Sequence, residues 1–387
     1  MTACRICGSP KVEPLIQKGT PFRLVSSDVQ PVVGTAEYSL CSNCLAVQKI
    51  ATPAWEAMAA HIYANYDINH QSQGAEPTIF DSAKGSGPRS LMLLRNFLDT
   101  VTLPGQGRLL DIGCSNGNLL KSFHGLRPEW KLSGAELVDR WRDTVLALPG
   151  VEAFYSGPNP DDYEGKFDVI SLSHLIEHIP DPVTFLKAVA RHLTPHGRIL
   201  LATPNLRQNP IDLIIADHCT HFDEDSFTHV ARRAGLGIEL LSTSMLPKEL
   251  VVVLFDRGGA SPSTADAPDD PRRAAIRERC LFFFELLDEV RRTAGRLAVK
   301  RPFGIMGSSI AAGWAMLELG GKVDFFVDED QNRIGRQLMG RPIVAPAEVP
   351  AGAVVYIPMS VAVSRKIIER WKHLPIDFRY EPKNRPG

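Results

Sequence analysis

Two groups of side chains in this chain have types and spacings suited to chemistry. The first is a pair of CxxC motifs, Cys4-Arg-Ile-Cys7 and Cys41-Ser-Asn-Cys44. Four thiolates can close a tetrahedral shell around Zn²⁺, and Gly8 relieves the turn behind the first pair. A closed thiolate set leaves no open coordination position, so the expected ion is structural. In so small a lobe, metal binding supplies much of the folding free energy, on the order of 10 kcal/mol. The second group is Asp217, His218 and His221. A histidine of near-neutral intrinsic pKa can take a proton from a hydroxyl or an acidic carbon. His218 is the expected base, Asp217 the group that orients it, and His221 a further imidazole at the same place. The same histidines would also serve to bond loop carbonyls or cap the helix expected from Glu224.

The elements that must position these groups read as an α/β alternation from about 85 to 256. Arg108-Leu-Leu-Asp-Ile-Gly-Cys-Ser-Asn-Gly-Asn-Leu-Leu120 is its organising stretch. Leu109 and Leu110 end a short apolar run, as in a buried parallel strand. Gly113 and Gly117 permit a tight turn, and a helix starts at Asn118. Such a turn lets a ligand lie against bare backbone at the carboxyl end of a strand, with Asp111 accepting hydrogen bonds at the rim. Lys131–Glu136 reads as the next strand, and its terminal carboxylate suits the two hydroxyls of a ribose. Ser156 is expected at a following strand tip. Phe167–Ser173 and Gly197–Asn205 are further strands, with His174-Leu-Ile-Glu-His178-Ile-Pro-Asp-Pro182 leaving the first of them.

A chain of 387 residues with 44% hydrophobic and 22% charged residues is expected to form two or three globular domains. The expected divisions are a zinc lobe at 1–75, an α/β domain at 76–257, a proline-rich linker at 258–271 and a terminal α/β domain at 272–387. A net charge of -1 provides no global basic field for nucleic acid or an anionic membrane. The first residues lack a signal-peptide apolar core, and no apolar run has membrane-spanning length, so a cytoplasmic location is expected. Arg272 to about Lys300 reads as one amphipathic helix whose aromatic stripe packs against the core. Beyond it, Gly307 with Ser308 and Ser309 offers donors to a phosphate at a helix N-terminus, and Asp328 ends the next strand. A ligand-free fold could use the same turn. Tyr63 and Tyr66, with Asn69 and His70, form either a hydrogen-bonded linker or a cover over a ligand.

The order of glycine turn, Glu136, the Phe-Asp-Val-Ile strand, the Glu177-His178-Ile-x-Asp-Pro turn and the Gly-Arg-Ile-Leu-Leu strand resembles class I S-adenosylmethionine-dependent methyltransferases. The resemblance implies a Rossmann-like core in which Asp111, Gly113, Cys114, Asn116 and Gly117 line the methionine and ribose part of the cofactor. It places Glu136 on the ribose hydroxyls and Ser173 and His174 beside the sulfonium. With the zinc lobe in front and Val327-Asp-Glu-Asp-Gln-Asn-Arg-Ile-Gly-Arg336 behind, the chain resembles bacterial nucleotide-sugar C-methyltransferases, which implies a Rossmann-like C-terminal domain. Their substrate is a nucleotide-linked keto-sugar held between domains, which assigns Tyr63, Tyr66, Gly307, Ser308 and Asp328 to substrate binding. The family's base segment reads Tyr-His-Glu-His, whereas this chain has Ile215-Ala216-Asp217-His218. Carbon and hydroxyl methylation are therefore both open. The implied partner is a small molecule, expected to be a nucleotide sugar. A methyltransferase for another small molecule, or a zinc scaffold or nucleic-acid module without catalysis, are the alternatives.

Overall fold

The computed structural model describes residues 3–66, 72–80, 85–258, 270–299 and 302–380. Asn69, His70 and most of the expected 258–271 linker lie outside the described residues. Within them, three larger sheets and two two-stranded ones share the chain.

The central sheet has seven strands in the order Val151–Ser156, Lys131–Glu136, Arg108–Ile112, Phe167–Ser173, Leu193–Pro204, Glu249–Asp256, Leu236–Ser242. The first five run parallel, and Glu249–Asp256 is antiparallel to both of its neighbours. Parallel strands buried on both faces need nearly continuous apolar runs. Leu109, Leu110, Val169, Ile170, Leu172 and Ile199 to Ala202 meet that need and are buried. Chain order reverses between Arg108–Ile112 and Phe167–Ser173, so the crevice at their carboxyl ends is the topological switch point, where open α/β sheets bind ligands. The loops leaving these two strands carry Gly113 to Gly117 and Ser173 to His178.

The N-terminal sheet joins Val12–Leu15, Tyr38–Cys41, Val47–Lys49 and Thr220–His221, all antiparallel. Its last strand comes from the loop that carries the expected base. Residues 1–75 and 76–257 are thus joined by a shared sheet as well as by sequence.

The third sheet contains Phe303–Met306, Phe325–Val327, Gln337–Leu338, Arg341–Val344, Val354–Ile357 and Asp377–Tyr380, with a parallel core. The long helix spans Asp270–Leu297, starting inside the stretch expected to be linker. Its Cys280, Phe283, Phe284 and Leu287 are buried in one cluster with Phe22 and Tyr38 from the N-terminal lobe, Phe303 from the third sheet and Trp314 from the helix Ile310–Glu318. Tyr38 meets Phe284 at 5.3 Å between ring centroids, and Phe22 meets Trp314 at 5.9 Å. The aromatic stripe is packing. No described helix is long and apolar enough to cross a membrane.

Candidate active site

The glycine turn is built as its sequence requires. Gly113 and Gly117 take positive φ of 77° and 81°, and Ser115 follows at 48°. A Cβ on Gly117 would lie 2.4 Å from Leu148 Cδ1, so glycine is required there for space as well as for conformation. Glu136 stands at its strand tip and accepts from the Ser115 N–H at 3.0 Å and the Leu137 N–H at 2.8 Å. A carboxylate has further lone pairs, so these bonds orient it without exhausting it. Asn116 and Asn118 each donate a side-chain N–H to the Gly74 carbonyl at 2.8 Å, which ties the 72–80 segment over the turn.

Asp111 differs from the expectation of a rim acceptor. It is buried in its strand and accepts from Ser171 Oγ at 2.7 Å on the neighbouring strand. Burial, joined by the Glu76 and Glu136 charges, outweighs the Ser171 bond and raises its carboxyl to about 7. Cys114 is also buried, and burial holds its thiol well above the ordinary range, which makes it wall and not nucleophile.

At the neighbouring strand end, Arg89 forms a two-point ion pair with Glu249, both contacts 2.8 Å, and donates to Ser173 Oγ at 3.3 Å. His174 adopts φ of 53°. That turn sets its Nδ1 3.2 Å from Glu177 Oε1 and its Nε2 3.2 Å from Glu249 Oε2, neither aligned as a hydrogen bond. Glu177 is anchored through Oε2 by the Thr203 hydroxyl at 3.0 Å.

The acid–imidazole group is assembled differently from the expected Asp217–His218 pair. His218 Nδ1 bonds Asp212 Oδ1 at 2.6 Å, and His221 Nδ1 bonds Asp212 Oδ2 at 2.7 Å. Asp217 instead accepts from the Ser27 N–H at 2.9 Å and the Ser27 hydroxyl at 2.6 Å, and faces His178 Nδ1 at 3.3 Å. The reason is local geometry. The 3₁₀ turn Pro210–Ile214 brings Asp212 back beneath the following loop, while Asp217 points to the N-terminal lobe. His221 is walled in, its Nε2 buried without a partner, so it supports the group from behind. His178 stacks edge-on against His218 with centroids 4.7 Å apart, and the Tyr63 hydroxyl lies 3.1 Å from His178 Nδ1. Tyr63, Glu177, His178, Asp217 and His218 therefore converge. Tyr66 caps the C-terminus of the Pro53–Asn65 helix, and its carbonyl takes Arg140 Nη1 at 2.8 Å.

Charge in this group is nearly all buried. Burial opposes ionisation of Glu177, Asp212, Asp217 and Glu249, but the surrounding histidines and Arg89 outweigh it and hold all four below the ordinary carboxylate range. Burial and Arg89 push the His174 imidazole down; Glu249 and Glu177 outweigh them and lift it to about 9. His178 is likewise raised, since Asp217 and Glu177 overcome burial. Burial lowers His221 to about 4 despite Asp212. Glu177, His178 and His218 bring one donor atom each within 4.8 Å of one another, close to the spacing of a cation site.

The four cysteines meet the requirements of Zn²⁺. Cys4 and Cys44 sulfurs lie 3.5 Å apart, as do those of Cys7 and Cys41, and all four come within 4.8 Å of one another. Four zinc–sulfur bonds of about 2.3 Å in a tetrahedron give a similar spacing.

In the third sheet, Gly307 has φ of 88° and the Ser308 hydroxyl donates to Asp328 Oδ2 at 2.5 Å. Arg333 Nη1 lies 3.4 Å from Ser308 Oγ, and Asp330 Oδ2 accepts from the Thr78 N–H at 3.1 Å. Ser308 and Asp328, both expected to receive a ligand, are bonded to each other.

Several participants carried no signal in the sequence. Arg89, Asp212 and Glu249 each stand alone among unrelated neighbours and acquire a role only where distant segments meet.

Residues 88–241 match the family model described as a methyltransferase domain. The ubiquinone biosynthesis O-methyltransferase of Thiobacillus denitrificans is 26% identical over 160 residues, covering 35% of this chain and 66% of that protein. The protein of the same name from Aeromonas salmonicida is 32% identical over 109 residues, covering 27% and 44%. The chain thus spans less than two thirds of these relatives. The solved mitomycin 7-O-methyltransferase is 17% identical at a TM-score of 0.38, covering 43% of this chain and 54% of that one. An S-adenosylmethionine-dependent methyltransferase from Clostridium acetobutylicum is 13% identical at a TM-score of 0.36, covering 51% and 97%. The glycine turn, Glu136, the His174–His178 loop and the His218 segment all fall inside the span, residues 88–241, that is similar to this methyltransferase-domain family.

Proposed function

We propose that the chain transfers a methyl group from S-adenosylmethionine to a nucleotide-activated sugar or related glycan precursor, with His218 as general base. The observation that carries this reading is the 2.6 Å bond between Asp212 and His218 Nδ1 beside the switch point of the sheet. It assigns the Nδ1 proton, leaving Nε2 as the basic nitrogen. When bound, the cofactor supplies an electrophilic methyl on a sulfonium and leaves as S-adenosylhomocysteine. Gly113 to Gly117 and Glu136 would hold it by backbone and ribose contacts. His218 Nε2 takes a proton from the acceptor hydroxyl, or from a carbon next to a carbonyl. The electron pair released on that oxygen or carbon forms the new bond to the methyl carbon. Asp212 stabilises the imidazolium that results. Positioned general-base help contributes roughly 10²–10⁴-fold in rate.

The substrate class rests on the resemblance in domain order. Zn²⁺ at Cys4, Cys7, Cys41 and Cys44 would be structural in this reading. The test is calorimetric titration with S-adenosylhomocysteine, then with a panel of nucleotide sugars. Selective binding of one nucleotide class supports the substrate. Cofactor binding without any nucleotide-sugar response points to another small molecule, a reading favoured by the O-methyltransferase names of the similar proteins. Failure of folded protein to bind S-adenosylhomocysteine ends the proposal.

A further inference from the structure

The loop that carries His218 is gripped in an unusual way. Its five consecutive carbonyls, from Ile215 to Cys219, all accept hydrogen bonds from N-terminal side chains. Lys49 Nζ donates to the Ile215 carbonyl at 2.5 Å and to the His218 carbonyl at 2.8 Å. Trp55 Nε1 donates to the Ala216 carbonyl at 2.9 Å, and the Tyr63 hydroxyl to that of Asp217 at 3.3 Å. Arg5 Nη1 donates to the Cys219 carbonyl at 2.8 Å. The Ala216 N–H returns a bond to the Val25 carbonyl at 2.8 Å, and Thr220 and His221 then pair with Gln48 and Val47. A loop ordinarily satisfies its backbone with its own turns or with water. This one is cast against another part of the chain.

We infer that the N-terminal lobe is the template that sets the backbone of residues 215–219, and that Lys49 is its central positioning residue for His218. The inference rests on the reading of His218 as the base and deepens it. Lys49 is buried, and its ammonium spans the loop by bonding residues on either side of Ala216 and Asp217. Its aliphatic stem lies in the strand that follows the Cys41–Cys44 pair, and Arg5 stands between Cys4 and Cys7. One donor to the loop thus sits inside the first cysteine pair and another five residues beyond the second. A buried ammonium is costly unless its donors are used, so a lysine here implies that the carbonyl geometry matters. Without the Nζ donors, the His218 carbonyl loses this partner and the Ile215 carbonyl keeps only the His218 N–H at 3.4 Å, so the Ile215–His218 arc relaxes toward water. The imidazole on that arc then leaves the position from which it meets the acceptor.

The test is Lys49→Met in the full-length protein, with histidine imidazoles labelled for nitrogen NMR. Expected are unchanged S-adenosylhomocysteine affinity, a displaced or broadened His218 imidazole resonance, and a kcat lowered about 10²-fold, the scale of a 1 Å misplacement, with little change in KM. An unperturbed His218 resonance in folded Lys49→Met overturns the inference. If that variant does not fold, Trp55→Phe keeps the packing ring, removes the donor to Ala216 and is read in the same way. Should His218→Ala retain full turnover while Lys49→Met still shifts the His218 resonance, the base assignment falls and the positioning role stands.

Discussion

Asp212 does for His218 what sequence adjacency suggests for Asp217. Asp212→Asn keeps the volume but replaces a carboxylate, which only accepts, with an amide that has a donor and an acceptor. Turnover is expected to fall about 10²–10⁴-fold with S-adenosylhomocysteine affinity retained, which steady-state kinetics and calorimetry separate. Asp217→Asn is expected to have the smaller effect on the same rate, because Asp217 is bonded to Ser27 and faces His178. His174 yields a pH prediction. Its pKa rises from 6.5 to about 9 on folding because Glu249 and Glu177 outweigh burial and Arg89. The folded state therefore holds the proton more tightly. The stability this contributes is fully present below pH 6.5 and is lost as pH rises through about 9. Thermal melts between those values should show the decline, and Glu249→Gln should flatten it.

Elements set what these residues can reach. The glycine turn is legible in sequence because its geometry is local, and Gly117→Ala offers a direct check. Positive φ and a 2.4 Å contact with Leu148 together predict a loss of about 1–3 kcal/mol in denaturant unfolding, with weaker S-adenosylhomocysteine binding. Asp111 shows the reverse. Its place in the apolar strand is legible, but its partner Ser171 comes from the adjacent strand, so burial replaces the rim position expected for it. Its carboxyl is raised to about 7 in the folded state, so ionising it disfavours folding as pH climbs from 3.8 toward that value. Asp111→Asn should lessen that decline in melts over the same range.

At the scale of the molecule, the N-terminal lobe, the central sheet and the C-terminal sheet are fastened by the Asp270–Leu297 helix and by the shared strand Thr220–His221. If Cys4, Cys7, Cys41 and Cys44 hold zinc as proposed, chelation is therefore expected to do more than unfold residues near Cys4. It should broaden the His218 imidazole resonance and lower the midpoint of the whole thermal transition, since side chains of the lobe donate to the carbonyls of residues 215–219. Elemental analysis should find one zinc per chain before chelation. An unchanged His218 signal after complete removal would mean that the lobe keeps its shape without metal.

The sequence by itself determined what depends on near neighbours along the chain. Parallel strands announced themselves as apolar runs, the turn at Gly113 and Gly117 as glycines where φ must be positive, and the cysteine shell as two CxxC pairs. The amphipathic helix was legible as well, within a few residues of its observed start. Only the tertiary structure decided which acid serves which imidazole, because Asp212, Asp217, His178 and His218 are matched by the folding of three loops against a lobe far away in sequence. It alone revealed Lys49, Arg89 and Glu249, each an ordinary charged residue until burial obliges it to find a partner. Hydrogen bonds and ion pairs of this kind are chosen by proximity in space, and no periodicity in the chain encodes them.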